Sequence, residues 1–175
     1  MKALFAVVVL VLAVGAAGWY MLGFKKPELP AGAPQPATFI ECAKYFPVQE
    51  SYPRRCTNGI GVTTTEDIGN ALNLKDKIIV LSPLPNDSIS SPVFIRGEAL
   101  GDWFEVSTIK LQILDKNGKV LGSGFVETTK YTGVDALVPF EGKADFSVPR
   151  FGSSGTIVIH KSNSSEELRI PVLLQ

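Results

Sequence analysis

The chain has 175 residues, with 17 basic and 17 acidic side chains, one histidine and two cysteines. Because the charges balance, there is no overall field to attract nucleic acid, which is therefore not an expected partner. A structural zinc site needs four cysteine or histidine ligands, so this composition argues against a metal centre, and no cofactor is expected.

The chain begins with an uncharged apolar run from Ala3 to Phe24. As a helix this run would be roughly 33 Å long, enough to cross the hydrocarbon core of a bilayer. Aromatic residues at its end favour a retained single-pass membrane anchor over residues 1–24, whereas the small residues 15–18 leave a cleaved signal peptide open. A buried core helix is a third alternative. Both of these interpretations export the rest of the chain, and the retained anchor would hold the extracytoplasmic C-terminal domain at the cell membrane.

The next segment, residues 25–38, is rich in Pro, Ala and Gly, a composition typical of an extended stalk. Cys42 and Cys56 follow and are the only cysteines. An even number of cysteines in an exported chain predicts a disulfide, and closing a loop of this size stabilises a fold by on the order of 3 kcal/mol. We expect residues 39–66 to form a small segment closed by this disulfide.

Three side chains of this small segment are candidates for a partner contact. Tyr52, Arg54 and Arg55 combine aromatic and guanidinium groups, which are favoured in interface hot spots. A solvated basic pair beside a disulfide is the simpler interpretation. The proline-containing loop between the cysteines also leaves open an alternative function, that of an envelope hydrolase or a protease-inhibiting protein acting through Cys42–Cys56.

Residues 67–76 are polar and predict a linker or a single helical turn. Beyond them, apolar residues alternate in runs that turn residues separate, as in β-strands. Seven such runs in 99 residues predict an all-β sandwich over residues 77–175. The predicted strands are residues 77–81, 93–99, 104–114, 119–127, 136–148, 156–161 and 168–174.

Three local signals refine this prediction. Asn117-Gly118 lies between two apolar runs and predicts a type I′ hairpin, in which both turn residues have positive φ. The apolar phase slips near Ser107-Thr108, which predicts a β-bulge in a long strand. Pro171 cannot donate to a ladder, so the last strand is expected at the edge of a sheet.

The predicted sandwich contains several spaced motifs, which are residues 78–99, Trp103-Phe104-Glu105, residues 114–118, Val138-Pro139-Phe140 and residues 155–159. Together these motifs resemble the bacterial spore-germination immunoglobulin-like domain, over residues 77–175. The resemblance implies an immunoglobulin-like sandwich in the cell envelope, in a family without established catalytic activity. One departure is the sequence after Ile159, where the family often has an acidic Asp-Gly turn.

Trp103 has two interpretations. It is a candidate partner contact if it lies on an exposed aromatic ledge, but a large aromatic residue in a sandwich of this size is more simply part of the core.

The residue types give little support for a catalytic function. His160 is the only histidine available for a Ser-His-Asp relay, and its polar surroundings are typical of a strand end. Gly59-Ile60-Gly61 and Gly122-Ser123-Gly124 lack the third glycine of a nucleotide-binding loop and are expected in turns. A glycan-cleaving pair of carboxylates would have to come from Asp102, Glu105, Asp135, Glu141 and Asp145.

The sequence therefore predicts a non-catalytic, membrane-anchored binding or scaffold module. Residues 3–24 would hold it in the membrane, and its partner would be an envelope protein or a glycan.

Overall fold

The computed structural model describes residues 35–104, 107–128, 133–148 and 152–175. The predicted anchor at residues 1–24 and most of the predicted stalk lie outside these ranges. Among the described residues, no helix is both long enough and apolar enough to span a bilayer. The chain divides into two compact units, and the boundary in the sequence lies between Thr65 and Glu66.

The first unit packs one short helix with a small sheet. Helix α1 (Phe39–Tyr45) begins at Thr38, whose Oγ1 accepts from the Glu41 backbone N–H while the Glu41 carboxylate accepts from Thr38 N–H. Three short antiparallel strands lie in the order β1-β2-β3, and the predicted Cys42–Cys56 disulfide is confirmed, linking α1 to β2. Both cysteines are buried with Phe39. The strands are β1 (Val48–Gln49), β2 (Arg55–Thr57) and β3 (Thr63–Thr65).

All seven predicted strands of the second unit are present, with ends within a few residues of those predicted, except at the start of β7. An additional two-residue strand, β5, follows the first of them. Single 3₁₀ turns are formed by Ala71–Leu74, within the segment predicted as a linker or helical turn, and by Gly101–Trp103. The strands are β4 (Ile78–Ser82), β5 (Ser88–Ile89), β6 (Val93–Leu100), β7 (Thr108–Asp115), β8 (Val120–Glu127), β9 (Leu137–Phe146), β10 (Ser153–His160) and β11 (Glu167–Leu174).

These eight strands form one curled sheet in the order β4-β6-β9-β8-β7-β10-β11-β5. Neighbours are antiparallel except β11 and β5, which are parallel. Strand β8 pairs with both β7 and β9 and so joins the two halves of the sandwich into a continuous ladder. The core lies inside the curl, because every one of the eight strands contributes buried apolar residues to a single cluster.

Glycines in β8 allow this continuous pairing. A Cβ atom at Gly124 would overlap the carbonyl oxygen of Lys143 on β9, and one at Gly122 would overlap that of Asp145. The expectation that these two glycines lie in a turn is therefore wrong. They lie within a strand, where the absence of a side chain lets the neighbouring backbone approach closely.

The hairpin between β7 and β8 is confirmed, but its turn type differs from the prediction. Only Gly118 has positive φ, at 81°, whereas a type I′ turn would require it at Asn117 as well. Asp115 determines the difference, since its Oδ1 accepts from the backbone N–H groups of Asn117 and Lys119. The result is a longer loop with a glycine at the left-handed position.

The predicted strand at residues 104–114 begins late. The 3₁₀ turn Gly101–Trp103 precedes it, Phe104 N–H donates to the Gly101 carbonyl, and β7 starts only at Thr108. The register shift in this strand lies between Ile113 and Leu114 rather than at Ser107-Thr108. Because β7 begins at Thr108, the described residues show no bulge at Ser107-Thr108, and Val106, which is part of the phase slip, lies outside them.

Strand β11 is not the last strand of the sheet, contrary to the prediction from Pro171. Strand β5 pairs with its C-terminal end, where Leu173 N–H donates to Asp87 O and Gln175 N–H donates to Ile89 O. The Pro171 carbonyl accepts from Asn86 N–H. Because Pro171 itself has no N–H, this position needs no further acceptor from the covering segment.

Candidate binding site

The three candidate contact residues of the first unit lie together around the start of β2. Tyr52 is 61% exposed, and both arginines are exposed. The Arg54 guanidinium lies 5.5 Å from the centre of the Phe39 ring, within range of a cation–π interaction. Arg55 pairs in the sheet with Gln49 on β1 and with Thr65 on β3.

Trp103 belongs to the core of the second unit and is fully buried. Its indole Nε1 has no hydrogen-bond partner among the described residues. The interpretation of Trp103 as an exposed partner contact is therefore wrong, because the 3₁₀ turn Gly101–Trp103 directs this side chain inward. The alternative interpretation, a core residue, agrees with the structure.

His160 is the last residue of β10, as expected of a strand end, but it is only partly exposed and is held by two neighbouring strands. Its Nε2 lies 2.7 Å from Gln112 Oε1 on β7, and its Nδ1 lies 3.2 Å from Glu167 Oε2 on β11. Burial lowers the pKa of His160, and the Glu167 carboxylate opposes this by raising it. These contacts occupy both ring nitrogens, so His160 is a structural side chain rather than the oriented base of a serine relay.

The candidate carboxylates are dispersed over the fold. Asp102 binds Lys161 at 2.5 Å, and Asp135 lies in the turn before β9. Glu141 and Asp145 are four residues apart on β9, a separation of roughly 13 Å along a strand. Glu105 lies outside the described residues. Among the described residues, no group of three histidine, cysteine or acidic side chains is arranged to hold a metal ion.

A surface that the sequence did not predict lies on the outer side of β6, β9 and β8. Phe94 on β6 and Phe125 on β8 are 65% and 62% exposed. Lys143 on β9 is the register partner of both phenylalanines and lies between them. We call this surface the aromatic face; its residues are Phe94, Arg96, Ser123, Phe125, Glu127, Glu141, Lys143 and Asp145.

The register of the strands determines the spacing on the aromatic face. Adjacent strands are about 4.8 Å apart, so two strand spacings place the backbones of Phe94 and Phe125 roughly 10 Å from each other. The Lys143 ammonium lies 5.9 Å from the centre of the Phe94 ring and 3.8 Å from the Asp145 carboxylate. The Lys143 side chain therefore interacts with Phe94 on β6 and with Asp145 on its own strand.

Charged residues form a second row beside the aromatic one. Glu141 is the register partner of Arg96 on one side and of Glu127 on the other. Together the two rows line an open groove of about 640 Å³, to which the backbones of Gly124 and Gly142 also contribute. This groove offers two aromatic rings for stacking, and carboxylate, guanidinium, ammonium and hydroxyl groups for hydrogen bonds.

The sequence contained a weak signal for this face. Phe94 and Phe125 alternate with core residues such as Ile95 and Val126, so each belongs to the outer phase of its strand. An outer phase occupied by phenylalanine is unusual for a sheet facing water. Only the pairing of β8 with β9 brings the two rings into one row.

The alternation of buried and exposed residues and the curled sheet around one core define an immunoglobulin-like β-sandwich domain. A family model described as the immunoglobulin-like domain of bacterial spore germination matches residues 77–166, which is more than half of the chain. The chain belongs to this family, as its spaced motifs predicted. Comparisons with curated proteins and with solved structures gave no match.

Proposed function

We propose that this protein is a non-catalytic, extracytoplasmic binding or scaffold module of the bacterial cell envelope, anchored in the membrane by residues 3–24. Membership of the germination-associated immunoglobulin-like family supports an envelope role. The Cys42–Cys56 disulfide supports export, because such bonds persist in oxidising compartments and are rare in the cytosol.

The aromatic face is the observation that carries the binding role. Phe94 and Phe125 expose most of their rings on a rigid part of the fold, where their strands are paired on both sides. Exposed aromatic residues grouped with charged ones mark interaction sites more often than isolated apolar residues do. The immunoglobulin-like unit would thus present a preformed surface, and the stalk of residues 25–38 would hold it away from the bilayer.

The same face gives a reason to propose binding rather than catalysis. Glu127 and Glu141 are register partners, close enough for a pair of catalytic carboxylates, but both are exposed in an open groove. Carboxyl groups that serve as general acids at neutral pH are normally prepared by burial. An exposed pair in contact with water is better suited to hydrogen-bonding a ligand.

A topology experiment tests the proposed location. A reporter that is active only outside the cytoplasm, fused after Gln175, should be active in cells, and the two cysteines should resist alkylation until a reductant is added. Amino-terminal sequencing of membrane-bound protein should find residues 3–24 retained. A cytosolic reporter with both thiols free would overturn the proposed function.

A capture experiment tests the proposed activity. Full-length protein is crosslinked in intact cells, and the products are compared between the wild type and the double variant Phe94→Ala/Phe125→Ala. We expect the envelope products of the wild type to be lost in the double variant and kept in Ile60→Ala, a control of similar exposure in the first unit. Cleavage of envelope glycan by the purified wild type would instead support the hydrolase alternative.

A further inference from the structure

We propose that the aromatic face binds an uncharged, extended glycan chain laid across β6, β9 and β8. This inference rests on the proposed function, since an envelope location supplies such chains, and it names the ligand class of the same surface. Four features of the face support it: the spacing of its rings, its hydrogen-bonding groups, its charge and the pairing of its strands.

The ring spacing suits a polymer of sugars. Phe94 and Phe125 lie in one row across the sheet, separated by roughly 10 Å of backbone, which is about the length of one disaccharide. Each sugar ring has an apolar face of C–H groups that stacks on an aromatic ring. Two phenylalanines at this spacing would therefore stack on alternate sugars of one chain.

The polar groups between and beside the rings suit hydroxyl groups. Lys143 lies between the two rings, and the neighbouring row carries Arg96, Glu141 and Glu127. Carboxylates accept, and ammonium and guanidinium groups donate, so together they match the paired donor and acceptor character of adjacent sugar hydroxyls. An amide-bearing sugar would find the same partners.

The charge of the face disfavours a polyanion. Its eight residues include two cations, Arg96 and Lys143, and three anions, Glu127, Glu141 and Asp145. A polyphosphate or another acidic polymer would meet a net negative surface, since the anions outnumber the cations. An uncharged chain avoids this repulsion.

The pairing of the strands disfavours an added peptide strand. Strands β6, β9 and β8 are internal to the sheet, so each is paired through its backbone on both sides. A peptide that binds by strand addition needs an exposed sheet edge with unpaired backbone groups. A ligand on the aromatic face must therefore bind through side chains, as a glycan does.

The test uses the full-length chain in detergent micelles and chitohexaose as an uncharged probe, with titration calorimetry as the measurement. Cellohexaose serves as a second uncharged probe, and polyphosphate as the charged comparison. We expect both glycans to bind and polyphosphate not to. Removing both rings in Phe94→Ala/Phe125→Ala should weaken glycan binding at least about tenfold, whereas Ile60→Ala, at an exposed position of the first unit, should leave it unchanged.

Further measurements separate the alternatives. Glycan affinity should change little between about 0.05 and 0.3 M salt, because screening acts on charged pairs and the ligand has no charge. Since both rings are exposed, the double variant should melt like the wild type, which verifies its fold. Lys143→Gln should weaken binding less than loss of the rings does.

Three outcomes would overturn the glycan proposal. They are no binding of either glycan by the wild type, unchanged binding by the double variant, or dissociation of a wild-type dimer in the double variant, which would assign the face to contact between copies. An active exported reporter together with crosslinking to an envelope protein would then leave the proposed function standing without a glycan ligand. A cytosolic reporter would remove the proposed function itself.

Discussion

Asn70 pairs with Arg169 as if it were a residue of a further strand beside β11. The Arg169 backbone N–H donates to Asn70 Oδ1 at 2.7 Å, and Asn70 N–H donates to the Arg169 carbonyl at 3.3 Å. The Asn70 side-chain amide also donates to the Glu167 carbonyl at 2.8 Å. One residue thus satisfies backbone groups that an open sheet edge would present to other chains.

The covering of β11 continues beyond Asn70 in a second segment. Asn86 N–H donates to the Pro171 carbonyl, while its side-chain amide donates to the carbonyl of Asp67 and to Glu66 Oε1. Asn86 adopts a positive φ of 66°. It thereby links the segment at residues 66–70 to the segment at 86–89, and the two together cover the edge of β11.

Asn70→Ala should destabilise the second unit, because the backbone groups of Arg169 and Glu167 lose their partners. We expect a decrease of about 1–3 kcal/mol in the free energy of unfolding, measured by urea titration. Asn73→Ala, at an exposed position in the 3₁₀ turn that directly follows Asn70, is the matched control. Equal effects of the two variants would contradict the role assigned to the Asn70 side chain.

Gly69→Ala should be more costly than an ordinary substitution of a glycine with positive φ. At Gly69 φ is 63°, and a Cβ atom would overlap the Arg169 carbonyl oxygen. Gly118 has a similar φ of 81° but open space around it, so Gly118→Ala should cost only about 1 kcal/mol. Thermal unfolding of both variants measures the difference between their losses of stability. Equal losses would show that the segment at residue 69 moves away from β11, and would contradict the prediction.

Stability should depend on pH through His160. Burial lowers the pKa of this side chain below its usual 6.5, against the attraction of Glu167 and with the repulsion of Lys110 and Arg169. The unfolded chain therefore binds a proton more readily than the folded one, and stability decreases as the pH falls through about 6.5. We expect the melting temperature of the wild type to fall relative to that of His160→Gln between pH 7.5 and 5.5, values that bracket about 6.5. Parallel pH profiles would contradict this.

Reduction of the disulfide should destabilise the first unit. Cys42 and Cys56 are 14 residues apart and lie buried with Phe39 in its small core. The loop constraint is worth about 3 kcal/mol in the chain-entropy account, a large share of the stability of so small a unit. Hydrogen exchange should therefore accelerate in residues 39–65 when the protein is reduced, and the Cys42→Ala/Cys56→Ala variant should exchange similarly without reductant. Unchanged exchange in these residues would show that the disulfide is dispensable.

Local sequence patterns were sufficient to predict the strands, the disulfide and the family. Alternation such as Leu168-Arg169-Ile170 is a property of neighbouring residues, and a strand places such residues on opposite faces whatever lies beside it. The hairpin at Asn117-Gly118 was also predicted from neighbouring residues. Its turn type was not, because the Asp115 side chain accepts hydrogen bonds from backbone groups of the turn. The disulfide pairing could be predicted without a structure, since the chain has only two cysteines.

Contacts between distant residues, in contrast, depend on the three-dimensional fold. Asn70 and Arg169 are 99 positions apart, and no local pattern relates a polar turn to the backbone of β11. Phe94 and Phe125 join one row only because β9 lies between their strands. The two interpretations of Trp103, as a core residue or as an exposed contact, could be distinguished only from the direction of the 3₁₀ turn that contains it. Strand pairing acts between distant segments through backbone hydrogen bonds, which are common to every residue type, so the identity of the partner is set by the packing of the whole sheet.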